Sequence, residues 1–265
     1  MVKSYYSAPA LDKGLDILEL LSLSAEPMTQ AQIASHLNKT VNEIYRMLNT
    51  LKKRGYLEFD EKSDQYTLSY KLLTLAVSLN PIKTLIEKAI PAMREITLKT
   101  NHSIHLSIYT AGKLLVVAQQ DSLSAFNYHV AVGSTFDLLE TSSGRVLLTF
   151  QSDQERKRRL ERRKLFMKIS KESNISKTKI REIEKQFTKK TIHKIKKDGY
   201  EIVKSLQIEG VTNISYPIFD NNCYAIAALT TPFIKRIYEK SNVKQTSNIL
   251  KKYSEKLSKE LGYVC

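Results

Sequence analysis

The stretch "TVNEIYRMLNTLKKRGYLEF", Thr40–Phe59, runs an amphipathic helix into a strand. At about 100° per residue, Val41, Ile44, Leu48 and Leu51 fall within about 80° of one another and make a buried stripe. The opposite arc holds Asn42, Arg46, Asn49, Thr50 and Lys53. Thr40 and Glu43 stand at capping-box spacing, with Asn42 as an alternative cap, so the helix has a defined start. Gly55 supplies the left-handed backbone that ends it.

Upstream, "EPMTQAQIASHL" restarts after Pro27, with Thr29 and Gln32 at the same capping spacing, which predicts a second, short helix. Before it, "ALDKGLDILELLSLS" places Leu11, Leu15, Leu18 and Leu21 at intervals of three and four, a helix with one buried stripe. Downstream, "YLEF" and "QYTLS" alternate with period two around the polar turn "DEKSD". Three helices followed by a hairpin are a winged helix-turn-helix.

In that context the polar arc of the third helix reads as a DNA-contacting face rather than as a merely solvated one. Arg46 can pair bidentately with guanine and Asn42 or Asn49 with adenine, while Thr50 and Lys53 reach phosphate or base edges. Glu43 borders the arc and can accept from cytosine, although capping is its first role. Tyr45 flanks the arc, Lys62 in the wing turn can meet phosphate, and Thr29 and Gln30 at the preceding helix start complete the candidates.

Beyond the wing, "YKLLTLAVSL" is helical and Pro81 marks a break before "IKTLIEKAIPAMREITLKT". The expected domains are therefore residues 1–80 and 81–265. In the second, "SIHLSIYT", "KLLVVAQQ" and "FNYHVAV" read as strands, "TSSGRVLLTF" as a helix, "YEIVKS", "VTNISYPIF" and "YAIAALTT" as strands, and "SNVKQTSNILKKYSEKLSKEL" as a last helix. That order predicts an α+β domain around an antiparallel sheet.

The formal charge of +15 invites a nucleic-acid reading, but its location does not coincide with the helix. Residues 1–80 are neutral in sum, whereas residues 153–200 carry a net charge of +11. There Ile180, Ile183, Phe187, Ile192 and Ile195 recur at helical intervals, so the segment reads as amphipathic helices with a solvated basic face. Within residues 39–54, Lys39, Arg46, Lys52, Lys53 and Arg54 face Glu43 alone; the first domain is polarised rather than basic. No signal segment or apolar run of about 20 residues is present, which predicts a cytoplasmic protein with no membrane contact. Cys223 and Cys265 have no metal-ligand or redox spacing and read as spectator thiols.

The enzymatic alternative, a nucleic-acid-directed or small-molecule enzyme using the winged helix only for docking, has little to stand on. There is no G-x-S-x-G elbow, P-loop, H-E-x-x-H or G-x-G-x-x-G. His102 and His105 would face opposite sides of a strand, wrong for joint metal ligation, and each histidine reads as a surface or satisfied polar residue. No catalytic residue, metal or cofactor is expected.

Taken together, "ALDKGLDILELL", "MTQAQIASHL", "IYRMLNTLKKRGYLEFDEKSDQYTLSYKLLTLA", "GSTFDLLETSSGRVLL", "DGYEIV" and "GVTNISYPIFDNN" resemble the IclR family of bacterial transcriptional regulators over nearly the whole chain. The resemblance implies a winged helix-turn-helix, a linker helix, a GAF-like effector domain, a homodimer or homotetramer and a palindromic double-stranded DNA operator. It also implies a regulator, expected to repress, whose operator affinity responds to a small molecule, a carboxylate or an aromatic. Carried over by position, the effector residues are Tyr128, Phe136, Ser142, Ser143, Gly144, Asn213 and Thr230. Ser142 and Ser143 before Gly144 offer hydroxyls and helix-start amides to an anion; the alternative is that Thr141 or Ser142 simply caps the helix. The chain departs from the family pattern with Leu139 where a His is common, Arg145 for Lys, no carboxylate near Val203, and Asn213 for Cys.

Overall fold

The computed structural model describes residues 8–24, 26–77, 80–125, 127–169, 177–237 and 242–264. The chain divides into two compact units, Met1–Pro81 and Ile82–Cys265.

In the first unit, α1 (Pro9–Leu23), α2 (Gln30–His36) and α3 (Val41–Lys53) precede strands β2 (Leu57–Asp60) and β3 (Gln65–Leu68). A two-residue strand β1 (Met28–Thr29) completes a three-stranded sheet in the order β1-β3-β2, and α4 (Lys71–Val77) follows. Both capping boxes form, Thr29 with Gln32 and Thr40 with Glu43, so α2 and α3 start where their own side chains satisfy orphan backbone donors. Gly55 adopts φ +76° just past the end of α3. Ile17, Leu21, Ile33, Ile44, Leu48, Leu57 and Tyr66 form the core of this winged helix-turn-helix.

Three members of the expected stripes lie elsewhere. On α1 the buried line is Gly14, Ile17 and Leu21, while Leu11 and Leu15 are exposed. A unit this small covers only one edge of a wide apolar arc. Val41 is likewise exposed, because it is the first residue of α3 and projects beyond the core.

The second unit is α+β. Its long helix α5 (Asn80–Thr100) takes Pro81 in its first turn, where a missing N–H costs nothing. Strands β4 (Ile104–Thr110), β5 (Lys113–Gln120), β6 (Thr135–Asp137), β7 (Glu201–Lys204), β8 (Val211–Phe219) and β9 (Ala225–Ile234) form one antiparallel sheet in the order β6-β5-β4-β9-β8-β7. Residues 127–132 of the expected strand "FNYHVAV" are not strand, and Phe126 lies outside the described residues; the pairing goes instead to Thr135–Asp137 on β5.

Period-two alternation gives the sheet two different faces. Ile104, Leu106, Ile108, Ile214, Tyr216, Ile218, Ala227 and Leu229 face α5 and the last helix, α10 (Val243–Glu260). The intervening residues face α6 (Ser142–Thr149), with a cluster of Leu114, Leu138, Leu147, Leu148 and Ala228 beside a row of polar side chains. The basic helices are α7 (Asp153–Ile169), α8 (Lys177–Gln186) and α9 (Lys189–Asp198). Ile183 and Ile195 are buried and Phe187 half-buried, as an amphipathic reading requires; the Ile180 side chain is outside the described residues. Cys223 is disulfide-bonded rather than a spectator thiol.

Candidate functional site

Two constellations carry the chemistry, one in each unit. On α3, Asn42, Tyr45, Arg46, Asn49 and Lys53 are exposed, and Lys62 is exposed in the β2–β3 turn. None of these six side chains makes an ion pair or hydrogen bond among the described residues, so their donors and acceptors remain available. The turn carrying Lys62 is fixed by Asp60, whose carboxylate accepts from the Lys62 backbone N–H at 3.0 Å and from the Ser63 hydroxyl at 2.7 Å.

The other four candidates are occupied within the fold. Glu43 accepts from the Thr40 N–H at 2.8 Å and from Lys13 Nζ at 3.0 Å, and these bonds hold its carboxyl at a pKa of about 2. Its role is therefore to start α3 and tie it to α1. Thr29 accepts from the Gln32 N–H at 3.3 Å, and Gln30 Nε2 donates to the Val41 carbonyl at 3.1 Å, fixing α2 against α3. The Thr50 hydroxyl donates to the Arg46 carbonyl at 2.8 Å. Lys52, which the helical pattern leaves outside the arc, sits 4.3 Å from the Phe59 ring centre and braces the wing.

Arg46 and Thr50 also border an apolar groove lined by Leu11, Leu15 and Leu18 of α1 and Leu72 and Leu75 of α4. Leucines exposed there are the ones the α1 pattern expected to find inside.

In the second unit a recess of ≈ 30 Å³ lies between the polar row of the sheet and the start of α6. Tyr128, Phe136, Ser142, Ser143, Asn213 and Thr230 line it, six of the seven residues carried over by position. Gly144 does not. A Cβ at that position would stand 2.1 Å from the Leu138 carbonyl oxygen, so this glycine lets α6 close onto the preceding loop. Its N–H donates to Thr141 Oγ1 at 3.2 Å, making Thr141 the cap and leaving the first-turn amides of Ser142 and Ser143 beside the recess.

Sequence reasoning missed His105, Leu114, Val130, Thr141, Ser205 and Gln207 in the lining. Of these, His105 belongs to a polar row across the sheet: it is registered opposite Thr230, Thr230 opposite Ser215, and Ser215 opposite Glu201. Ser215 Oγ stands 2.6 Å from Ser142 Oγ and 2.8 Å from Thr230 Oγ1, which links the sheet to α6. Strand periodicity could have found His105, since it shares a face with the neighbours of α6.

Arg145, buried on α6, is turned away from the recess. Its Nε donates to both Glu201 carboxylate oxygens at 2.9 and 3.0 Å and its Nη1 to the Leu139 carbonyl at 2.7 Å. Burial pushes the Glu201 carboxyl up, and Arg145 opposes that shift. The lining consequently contains no Lys, Arg, Asp or Glu.

His102 and His105 behave differently. His102 is satisfied, with Nδ1 2.7 Å from the Thr100 carbonyl and Nε2 3.1 Å from that of Ile234, and its ring stacks on Phe233. His105 contradicts the expectation of a satisfied or surface histidine: it is buried, and its Nδ1 has no hydrogen-bond partner. Among the described residues no group of three His, Cys, Asp or Glu is placed to hold a metal. Part of the basic segment is internally engaged: Arg158 and Arg159 pair with Glu155, and Arg163 with Asp137 and Glu184.

The family model described as the bacterial transcriptional regulator IclR C-terminal domain matches residues 81–259, and that of the IclR helix-turn-helix domain matches residues 10–61. The chain is 25% identical over 232 residues to the HTH-type transcriptional regulator KdgR of Escherichia coli (strain K12), covering 88% of this chain and 85% of that one. It is 19% identical over 224 residues to the HTH-type transcriptional repressor AllR of the same strain, covering 84% and 79%. Among solved structures, Thermotoga maritima IclR superposes with a TM-score of 0.66 at 21% identity, covering 96% of this chain and 98% of that one. An IclR homolog complexed with 4-hydroxybenzoate from Microbacterium hydrocarbonoxydans gives 0.73 at 17% identity, covering 95% and 98%.

Proposed function

The chain belongs to the IclR family of transcriptional regulators, with a helix-turn-helix DNA-binding domain and a C-terminal effector-binding domain, and we propose that it reads its operator through α3 and answers to a small carboxylate held beside α6. The observation that carries the DNA half is the unoccupied arc of Asn42, Arg46, Asn49 and Lys53 on a helix whose start is fixed by a capping box. Tyr45 and Lys62 flank that arc, one beside it and one in the wing. Thr29, Gln30, Glu43 and Thr50 serve the reading face by holding it.

In this reading residues 1–80 form the DNA-reading domain with its linker helix, and residues 81–265 the effector and oligomerisation domain, working in the cytoplasm as a homodimer or homotetramer on a palindromic operator. The apolar groove of Leu11, Leu15, Leu72 and Leu75 supports assembly with a second copy. A charge-neutral recess at a helix start supports an anionic ligand held by dipoles. 4-Hydroxybenzoate, bound by one relative, is a carboxylate on a ring; a recess of ≈ 30 Å³ favours something smaller. The ligand acts by binding one arrangement of the oligomer better than the other, which shifts the population able to hold DNA, with repression relieved or imposed accordingly.

Sequencing of genomic fragments retained by the full-length protein tests the proposal. Enrichment of one two-fold-symmetric motif is expected, and its loss on adding the ligand that raises the protein's melting temperature. Retention of fragments without any shared motif would refute sequence reading.

A further inference from the structure

Helix α9, in the basic segment, carries a charge that its surroundings leave unanswered. Its sequence, "KKTIHKIKKD", sets Lys189, Lys190, Lys194, Lys196 and Lys197 against Asp198 alone, and all five lysines are exposed. None of their side chains makes an ion pair or hydrogen bond among the described residues. Glu201 feels the charge of Lys194 through space, but its oxygens already accept from Arg145. On α5 and α10, by contrast, exposed lysines are met by a glutamate four positions away on the same helix: Lys83 by Glu87, Lys99 by Glu95, Lys251 by Glu255 and Lys256 by Glu260. A general surplus of lysine therefore does not account for α9.

The placement works against the helix itself. Lys189 and Lys190 stand in its first turn, where the helix dipole disfavours cations, and Lys190 with Lys194 is a like-charged pair at i, i+4. At about 100° per residue, Lys190, His193, Lys194 and Lys197 fall within about 100° of one another, opposite buried Ile195 and half-buried Ile192. They form one outward stripe about 10 Å long. Over that length one strand of duplex DNA presents about three phosphates. The stripe holds no aromatic side chain on which an unpaired base could stack, and the isoleucines of α9 are turned into the fold rather than toward a bilayer. Residues 1–80, which hold α3, sum to zero charge while residues 153–200 carry +11, so most of the charge available for sequence-independent attraction to DNA lies in the second unit.

We propose that the outward face of α9 holds the phosphate backbone of double-stranded DNA, on a stretch other than the bases that α3 reads. Lysines on flexible stems suit that task, since they meet phosphate as point charges and impose no base pattern. The inference rests on the DNA-binding reading of the chain and adds to it a second contact, blind to sequence and carried by the effector unit. Binding of phosphate also relieves the repulsion among the lysines.

Fluorescence anisotropy on the full-length protein tests this between about 50 and 200 mM salt, with a selected operator and with a duplex of equal length that lacks it. Lys190→Gln, Lys194→Gln and Lys197→Gln made together are expected to lower the slope of log affinity against log salt by about 2–3 on both duplexes, at about 0.9 per phosphate released. Affinity at the low-salt end should fall about tenfold or more on both, with the ratio between the two duplexes kept. The same three positions changed to Arg should keep the parent's slope, because the charge is kept. A slope unmoved in the Gln variant, or lowered equally in the Arg variant, would overturn the assignment of α9 while the reading of bases by α3 stands. So would a Gln variant that binds both duplexes like the parent but loses binding to phosphatidylserine vesicles or to single-stranded RNA. A parent that binds neither duplex would refute the DNA reading itself, and this inference with it.

Discussion

The Arg145 guanidinium and the Glu201 carboxylate are both out of water, joined by two bonds of 2.9 and 3.0 Å across 56 positions of sequence. Removing one partner leaves the other buried and unpaired. Arg145→Ala is accordingly expected to destabilise the protein by about 3–5 kcal/mol in denaturant unfolding, with Arg145→Lys recovering only part because it cannot fork. An Arg145→Ala variant as stable as the parent would mean that Glu201 has another route to solvent. The residue's type was legible in the sequence but its partner was not, since nothing in the spacing connects a helix start to a strand that far along. The same limit applies to His105, whose neighbour Thr230 comes from a strand near the other end of the chain. Local pairs fare better: Thr40 with Glu43 and Thr29 with Gln32 are three residues apart, and sequence spacing alone places them.

The start of α3 depends on the Glu43 carboxylate, and that makes its contribution pH-dependent. Glu43 has a folded pKa of about 2 against an ordinary 4.5, so its stabilisation is complete above pH 4.5 and is lost as pH falls toward 2. Melting temperatures of the parent and Glu43→Gln should differ most at neutral pH and converge near pH 2; a constant gap would show that the carboxylate charge is not what matters. At α6, Gly144→Ala forces a Cβ to within 2.1 Å of the Leu138 carbonyl oxygen. The expected cost is about 1–3 kcal/mol or more by thermal melting, together with weaker ligand binding as α6 shifts from the recess. Elements with strong periodicity and caps were readable from sequence. "FNYHVAV" was not, because β-branched and aromatic residues describe a half-buried surface whether or not a neighbouring strand is there to pair. Leu11 and Leu15 misled for a related reason: helical spacing says that an apolar stripe exists, but how much of it the unit covers depends on packing.

For the whole molecule, the order of helices, hairpin, strands and basic helices pointed to a two-part organisation, and the family resemblance pointed to six residues that line the recess; composition pointed to neither, since the net positive charge sits mainly on residues 153–200 and not on α3. The recess draws on β4, β5, β6, β8, β9, α6 and the loops before β6, before α6 and after β7, so only the folded sheet brings its residues together. If the apolar groove seats a second copy, Leu15→Glu should shift the protein toward monomer in light scattering and weaken binding to a full palindrome far more than to a half-site. Unchanged mass and unchanged operator affinity would assign the groove elsewhere. Lys62→Ala should weaken binding to all sequences alike and lower the salt dependence by about one phosphate contact. The reading helix itself is tested most directly by fluorescence anisotropy on a selected operator and on single-base variants of it, parent against Arg46→Ala at fixed salt. A loss of about 1–3 kcal/mol with relaxed preference at one base position is the expected result; an Arg46→Ala protein that binds and discriminates like the parent would contradict the account.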